Sequence, residues 1–333
     1  MPREWVIPRY DGYEALELRD CAVEEPGPTD VRLAVEAFAL NWGDNDLMHD
    51  RYSFSFSDLP ARVGIEAAGR VEAVGSAVRG IEIGDRYCTL PYFYDKRGAS
   101  ADTMLIDQAY ITKAPDGLSA VEAASVWMQY MTAYFPMVEL AKAAPGKAIF
   151  CPAGTSTAGN AAIRIARMQG ATVLTSTRFA QNVAYLKDSG ADHVFVDDGT
   201  TPVADFLLHA TGGRGVDAAF DPVGGDFMEA YAPAMAKSGI LFLYGGLRGS
   251  YSHPPFLPMI QNSLWFHAYS LFNYVEDAEA CTRGIAFVNQ ALATGALKAQ
   301  IDRVFAMEEY KDAWTYVRGT RAAFGKVVVE TGQ

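Results

Sequence analysis

The chain has 333 residues, of which 50% are hydrophobic and 20% charged, and a net charge of −12. That apolar content is enough for a sizeable core in about two domains of roughly 150 residues, which excludes wholesale disorder. The acidic balance, with an isoelectric point of 4.9, excludes nonspecific binding to nucleic acid, although one Arg and a helix N-terminus still suffice to hold a small anion.

Residues 1 to about 118 alternate short β-like runs with Gly, Pro and Asp punctuation. Val31–Leu40 is mostly a period-two pattern, Gly69–Gly75 is another, and Gly84-Asp85 closes the next turn. Many short strands between turn residues predict a small β-barrel. Ser119-Ala-Val-Glu122 has the form of a capping box before a long apolar helix. Strands are then expected at Lys147–Cys151, Ala171–Ser176, His193–Val196, Val216–Asp221 and Gly239–Tyr244. Helices are expected between them at Thr157–Gln169, Phe179–Ser189, Val203–Thr211 and Asp226–Ala236. This alternation predicts a doubly wound parallel sheet covered by helices on both faces. Asp277–Thr294 reads as an amphipathic helix ended by Gly295. Ile301–Phe305, Glu308–Val317 and Lys326–Glu330 read as strand, helix, strand.

The most apolar long stretch, Val121 to Ala144, is interrupted by Glu122, Gln129, Pro136, Glu139 and Lys142, so no membrane span is expected. No apolar signal core follows Met1-Pro2-Arg3-Glu4. Cys21, Cys88, Cys151 and Cys281 lie far apart with no CxxC pair. A reduced, cytoplasmic setting is the resulting expectation.

The sharpest local signal runs from Ala148 to Gly159. An apolar strand enters a turn of small residues, Gly154-Thr155-Ser156-Thr157-Ala158-Gly159, and a helix follows. Small residues let backbone approach a pyrophosphate, and the helix N-terminus offers free N–H groups with a partial positive charge. The letters do not fit GxGxxG, and the same small residues also serve plain strand-to-helix packing. The next strand ends in Ser176, Thr177 and Arg178, with no carboxylate to accept from a ribose 2′-hydroxyl. Arg178 is suited to a 2′-phosphate instead, so NADPH is favoured over NADH. Two later strand ends, Asp221-Pro-Val223-Gly-Gly225 and Tyr244-Gly245-Gly246, face the same crevice, either as close approaches to the coenzyme or as turn chemistry.

The order of Gly64-Ile-Glu66-Ala-Ala-Gly69-Arg-Val-Glu-Ala-Val-Gly75, Gly84-Asp85-Arg86, Pro115–Ser119, the glycine turn and Gly325-Lys-Val-Val-Val329 resembles the medium-chain dehydrogenase/reductase superfamily. Within it the chain is similar to zinc-independent quinone oxidoreductases of the zeta-crystallin type. The resemblance implies an α/β architecture in which a Rossmann-type doubly wound parallel sheet, residues 121–269, is inserted into a GroES-like β-barrel catalytic domain, residues 1–120 plus 270–333. It implies nicotinamide and substrate between the domains, and a homodimer paired through Trp265–Ser270. It also implies cofactor contacts at Asn41, Thr132, Val223 and Lys326. Zinc-dependent relatives carry a catalytic Cys at Asn41 and a His at Ile65. The segment Tyr92–Gly98 lacks the four-cysteine lobe, so no metal is expected. A Lys that helps hold the 2′-phosphate in relatives is Asn182 here, which leaves more of that work to Arg178.

Without a metal Lewis acid, simple alcohol oxidation lacks its electrophile, whereas a quinone or activated enone accepts hydride with positioning alone. By resemblance Asn41 and Tyr52 are the catalytic candidates. Asn41 would bond the carboxamide or the acceptor oxygen, and Tyr52 would donate to a developing oxyanion. Trp42, Tyr52, Trp127 and Tyr130 are the substrate-binding candidates, although a helical stripe such as Trp127 and Tyr130 also serves as core. An enoyl-thioester or 2-alkenal reductase, and a nucleotide-binding protein with little turnover, are the alternative readings.

Overall fold

Alternating apolar and polar residues between glycine turns build the first of two units, residues 1–128 with 275–333; the second is residues 129–274. These divisions fall a few residues beyond the expected 120 and 269. The computed structural model describes residues 1–92, 97–248, 253–319, 321 and 323–332. Most of the short segment Tyr92–Gly98 therefore lies outside the described residues.

The first unit opens with β1 (Arg3–Ile7), β2 (Glu17–Asp20), β3 (Asp30–Ala39), α1 (Trp42–Leu47), β4 (Ala61–Arg62), β5 (Ala67–Val74), β6 (Arg86–Thr89), β7 (Thr103–Asp107), β8 (Ile111–Lys113) and α2 (Ala120–Ala123). Ser119 and Glu122 form the expected capping box. The single long helix predicted behind it is instead α2, then α3 (Trp127–Tyr134), then a wider π-type winding over Phe135–Leu140. Pro136 has no N–H to give to the turn before it, and the Ala141 N–H reaches back five residues to its carbonyl at 2.9 Å.

The second unit contains β9 (Ala148–Cys151), α4 (Thr157–Met168), β10 (Thr172–Thr177), α5 (Val183–Asp188), β11 (His193–Val196), α6 (Val203–Ala210), β12 (Val216–Asp221), α7 (Gly225–Tyr231), β13 (Met235–Leu243), α8 (Phe256–Asn262) and β14 (Trp265–Ala268), and ends within the short α9 (Phe272–Val275). The strands pair in the order β11-β10-β9-β12-β13-β14, all parallel. Sheet order therefore reverses beside β9, where doubly wound sheets bind ligands beyond the strand ends. Phe150, Leu174, Tyr231 and Leu241 lie in one buried cluster of this unit. The helix expected over 226–236 stops early, because Pro233 sits in a short 3₁₀ turn and β13 already begins at Met235.

The chain returns to the first unit with α10 (Ala278–Ala293), β15 (Ile301–Ala306), α11 (Tyr310–Arg318) and β16 (Lys326–Glu330). The Asp277 carboxylate caps α10 by accepting from the N–H groups of Glu279 and Ala280. The larger sheet of this unit has the order β15-β16-β3-β5-β6-β8, with β7 also on β3, and β2-β1-β4 form a separate small sheet. Trp5, Phe38 and Tyr310 are buried and pack together in this unit, with Tyr310 edge-on to Phe38 at 5.1 Å. Among the described residues no helix is long and apolar enough to cross a membrane.

Candidate functional site

In the second unit, β9 ends at Cys151 and the chain turns through the small residues into α4. Gly154 leaves no room for a side chain, since a Cβ there would lie 2.1 Å from Thr175 Oγ1. That hydroxyl is itself fixed by donating to the Cys151 carbonyl at 2.7 Å. The N–H groups of Ala153 and Gly154 bond Ser176, and the Ser156 side chain caps α4 by accepting from Gly159. Among the described residues the N–H groups of Thr155, Thr157 and Ala158 donate to no acceptor in the chain. Three open donors at the start of a twelve-residue helix form an anion-binding fan.

β10 ends at Thr177, whose hydroxyl oxygen accepts from Asn182 Nδ2 at 3.0 Å and from the Phe179 N–H. Asn182 thus shapes the strand end and brings no charge. Arg178 is exposed, rests on the Phe179 ring at 5.5 Å, and makes no ion pair among the described residues. After β12, the buried Asp221 carboxylate accepts from Val223 N at 2.6 Å, Gly224 N at 3.1 Å and Tyr231 Oη at 2.8 Å. Burial raises its pKa and these three bonds oppose the rise. Asp221 therefore holds the turn that carries Val223. Tyr244 stacks on Phe220 with centroids 4.0 Å apart, and Gly245 and Gly246 follow it, half-buried.

In the first unit three remote segments converge because β3 lies between β16 and β5. Asn41 follows the end of β3, Glu66 precedes β5, and Lys326 opens β16. The Lys326 ammonium, 1% exposed, donates to Glu66 Oε2 at 2.6 Å and to Asn41 Oδ1. Asn41 Nδ2 donates to Glu66 Oε2 at 3.2 Å and to the Ala39 carbonyl at 3.3 Å. Glu66 Oε1 accepts from the Met128 N–H at 2.9 Å. Beneath them Asp44 Oδ2 accepts from Asn41 N at 3.0 Å. Burial pushes the Asp44 carboxyl up to about 7, against the opposing pull of the Asn41 N–H and Lys326.

Several candidates read from sequence sit differently from expectation. Lys326, expected among the cofactor contacts, is sealed among Glu66 and Asn41 and has no surface to offer a phosphate. Trp127 and Tyr130, expected to bind substrate, are buried as core, as the apolar stripe on α3 also allows. Thr132 is nearly buried on the same helix. Trp42 is 45% exposed. Tyr52 lies over the start of α1, where a Cβ on Gly43 would come within 3.1 Å of its ring, and meets Phe54 edge-on at 5.6 Å. Glu66, Asp221 and the shaping role of Asn182 are additions from the structure. Lone charges of opposite sign, each opening an apolar strand at Glu66 and Lys326, were the signal for the first. Among the described residues no three His, Cys, Asp or Glu side chains converge to hold a metal ion. Burial pushes the Cys88 thiol up to about 12, away from any nucleophilic role.

Comparison with known proteins accords with this arrangement. Residues 27–123 match the alcohol dehydrogenase GroES-like domain and residues 189–329 the zinc-binding dehydrogenase domain. The chain is 27% identical over 323 residues to a quinone oxidoreductase of Pseudomonas aeruginosa, covering 96% of this chain and 97% of that one. It is 30% identical over 325 residues to a mycocerosic acid synthase-like polyketide synthase of Mycolicibacterium smegmatis, covering 96% of this chain but 15% of the synthase. A solved quinone oxidoreductase of Pseudomonas syringae superposes with a TM-score of 0.90 at 25% identity, over 99% of this chain and 100% of the other. The chain belongs to the medium-chain dehydrogenase/reductase superfamily, as an oxidoreductase of its quinone oxidoreductase-like branch.

Proposed function

We propose that this protein is an NADPH-dependent reductase that transfers hydride to a quinone or an activated enone without a metal ion. The observation that carries the reading is the fan of open N–H groups at Thr155, Thr157 and Ala158, beside an exposed Arg178 with no carboxylate partner among the described residues. The fan fits a diphosphate, because the closed-in Gly154 keeps the backbone bare. Arg178 fits a 2′-phosphate through charge-assisted hydrogen bonds worth about 1.5–3 kcal/mol each. Thr177, Val223, Tyr244, Gly245 and Gly246 line the remaining strand ends for the same coenzyme.

When bound, the coenzyme supplies the hydride from C4 of its nicotinamide ring. By the same reading Asn41 would hydrogen-bond the nicotinamide carboxamide, and Thr132 would contact the coenzyme. Tyr52 donates a hydrogen bond to the oxygen that gains charge, and Trp42 offers an aromatic face to a flat acceptor. An electron-poor acceptor needs little further polarisation, so positioning supplies much of the catalysis.

The protein acts as a homodimer. Support comes from the open edge strand β14 with Trp265 70% exposed, and from Phe256, Leu257 and Ile260 of the neighbouring α8, all more than half exposed. A second copy pairing edge to edge would cover this patch. The four free cysteines suit a reduced, cytoplasmic setting. An enoyl-thioester or 2-alkenal reductase is the second reading, favoured by the similarity to a polyketide synthase segment.

The test is to mix the protein with NADPH and a panel of ortho-quinones, para-quinones, enones and enoyl thioesters and to follow loss of NADPH absorbance. Quinone or enone turnover supports the main reading, and turnover of thioesters or alkenals alone supports the second. Tight NADPH binding without turnover of any acceptor contradicts both and leaves a nucleotide-binding module.

A further inference from the structure

The buried cluster at the end of β3 contains a lysine whose only polar partners among the described residues are Asn41 and Glu66, apart from its own strand bonding. Lysine is an obligate donor and an ionised carboxylate an obligate acceptor. The side-chain amide of Asn41 lies between them. Its oxygen must therefore face Lys326 and its nitrogen must face Glu66; the reverse would set donor against donor and acceptor against acceptor. Asn41 Nδ2 has two hydrogens, and its two bonds, to Glu66 and to the Ala39 carbonyl, use both. Only one lone pair of Oδ1 is left uncommitted.

We propose that Lys326 is a positioning residue that, with Glu66, locks Asn41 as an acceptor toward the coenzyme. In this state Asn41 receives an N–H of the nicotinamide carboxamide and cannot donate to the oxygen of a quinone or enone. The hydrogen bond to that oxygen then falls to another donor, such as Tyr52. The inference rests on the reading of Asn41 as a nicotinamide contact. It separates the two roles that the residue type alone leaves open.

Lys326→Met together with Glu66→Gln removes both charges at once, so neither is stranded in the core. The amide is then free to turn. The experiment compares the affinities of apo wild type and this double variant for NADPH and for 2′-phospho-ADP-ribose, which lacks the nicotinamide. The expected result is about tenfold weaker NADPH binding, the loss of one well-aimed hydrogen bond, with 2′-phospho-ADP-ribose unchanged within twofold. Lys326→Arg, still an obligate donor, should keep most of the NADPH affinity. Unchanged NADPH binding in the double variant overturns the proposal, and so does equal weakening of both ligands, which marks general damage. Failure of wild type to bind NADPH at all would instead sink the functional reading beneath it. Should the double variant not fold, the unaltered protein serves. Both Asn41 Nδ2 hydrogens, identified by their loss in Asn41→Asp, should exchange at least tenfold more slowly than those of an exposed amide. Exchange at the exposed rate overturns the lock.

Discussion

In the parallel-sheet unit the polar atoms that count are backbone N–H groups left open at Thr155, Thr157 and Ala158, whereas in the barrel unit they are buried side chains, the Lys326–Glu66 ion pair with the Asp44 carboxyl close by. The first arrangement costs little stability, because water satisfies the donors until an anion replaces it. The second is expensive to disturb, because the Lys326 and Glu66 charges have given up their hydration for a few fixed partners. A loop of small residues can thus await a ligand, while a charged cluster can hold a neighbouring amide in a single orientation.

The largest effect should come from breaking the sealed cluster asymmetrically. Lys326→Met alone strands the Glu66 carboxylate and should cost roughly 3–5 kcal/mol in urea unfolding, most of it recovered when Glu66→Gln is added. A loss below about 1 kcal/mol would mean that the ion pair is not sealed from solvent. In the open loop, Gly154→Val must push against Thr175, Ile163 and Leu186, which lie within 3 Å of the added Cβ. A stability loss of about 3 kcal/mol and undetectable NADPH binding are expected by thermal melting and calorimetry.

Asp44 sharpens the contrast through pH. Its carboxyl titrates at about 7 in the folded chain against a usual 3.8, so the folded state keeps a proton that the unfolded chain has already released. Stability from this group is full below the lower value and falls as pH rises toward and through about 7. Wild type should therefore lose roughly 2 kcal/mol relative to Asp44→Asn between pH 5 and pH 8. Parallel pH profiles would contradict the burial of that carboxyl. The smallest effect concerns a rim charge. Arg178→Ala should raise KM for NADPH roughly tenfold to a hundredfold and leave NADH nearly unchanged, without altering the melting temperature. Equal effects on the two coenzymes would refute the 2′-phosphate role.

The same contrast explains what was legible before the structure. Local chemistry announced the strand, the small-residue turn and α4, because Ala148 to Gly159 is contiguous and its period changes where the elements change. Strand alternation likewise placed β11, β12 and β16. The cluster of Asn41, Glu66 and Lys326 is formed by sheet order, which brings together residues up to 285 positions apart, and no periodicity encodes that. Each charge alone reads as the solvated start of a strand. The break between α2 and α3, and the widening at Pro136, were masked by an apolar run that looks equally continuous in either winding. Trp127 and Tyr130 were ambiguous for the same reason, since a helical stripe of large rings is common to pocket walls and core.

The most direct measurement is a crystal structure of the protein soaked with NADPH, supported by titration of NADPH and NADH in solution. The account predicts the diphosphate on the N–H groups of Thr155, Thr157 and Ala158, the 2′-phosphate on Arg178, and tighter binding of NADPH than of NADH. A coenzyme seated elsewhere, or no measurable affinity for either nicotinamide dinucleotide, would contradict it.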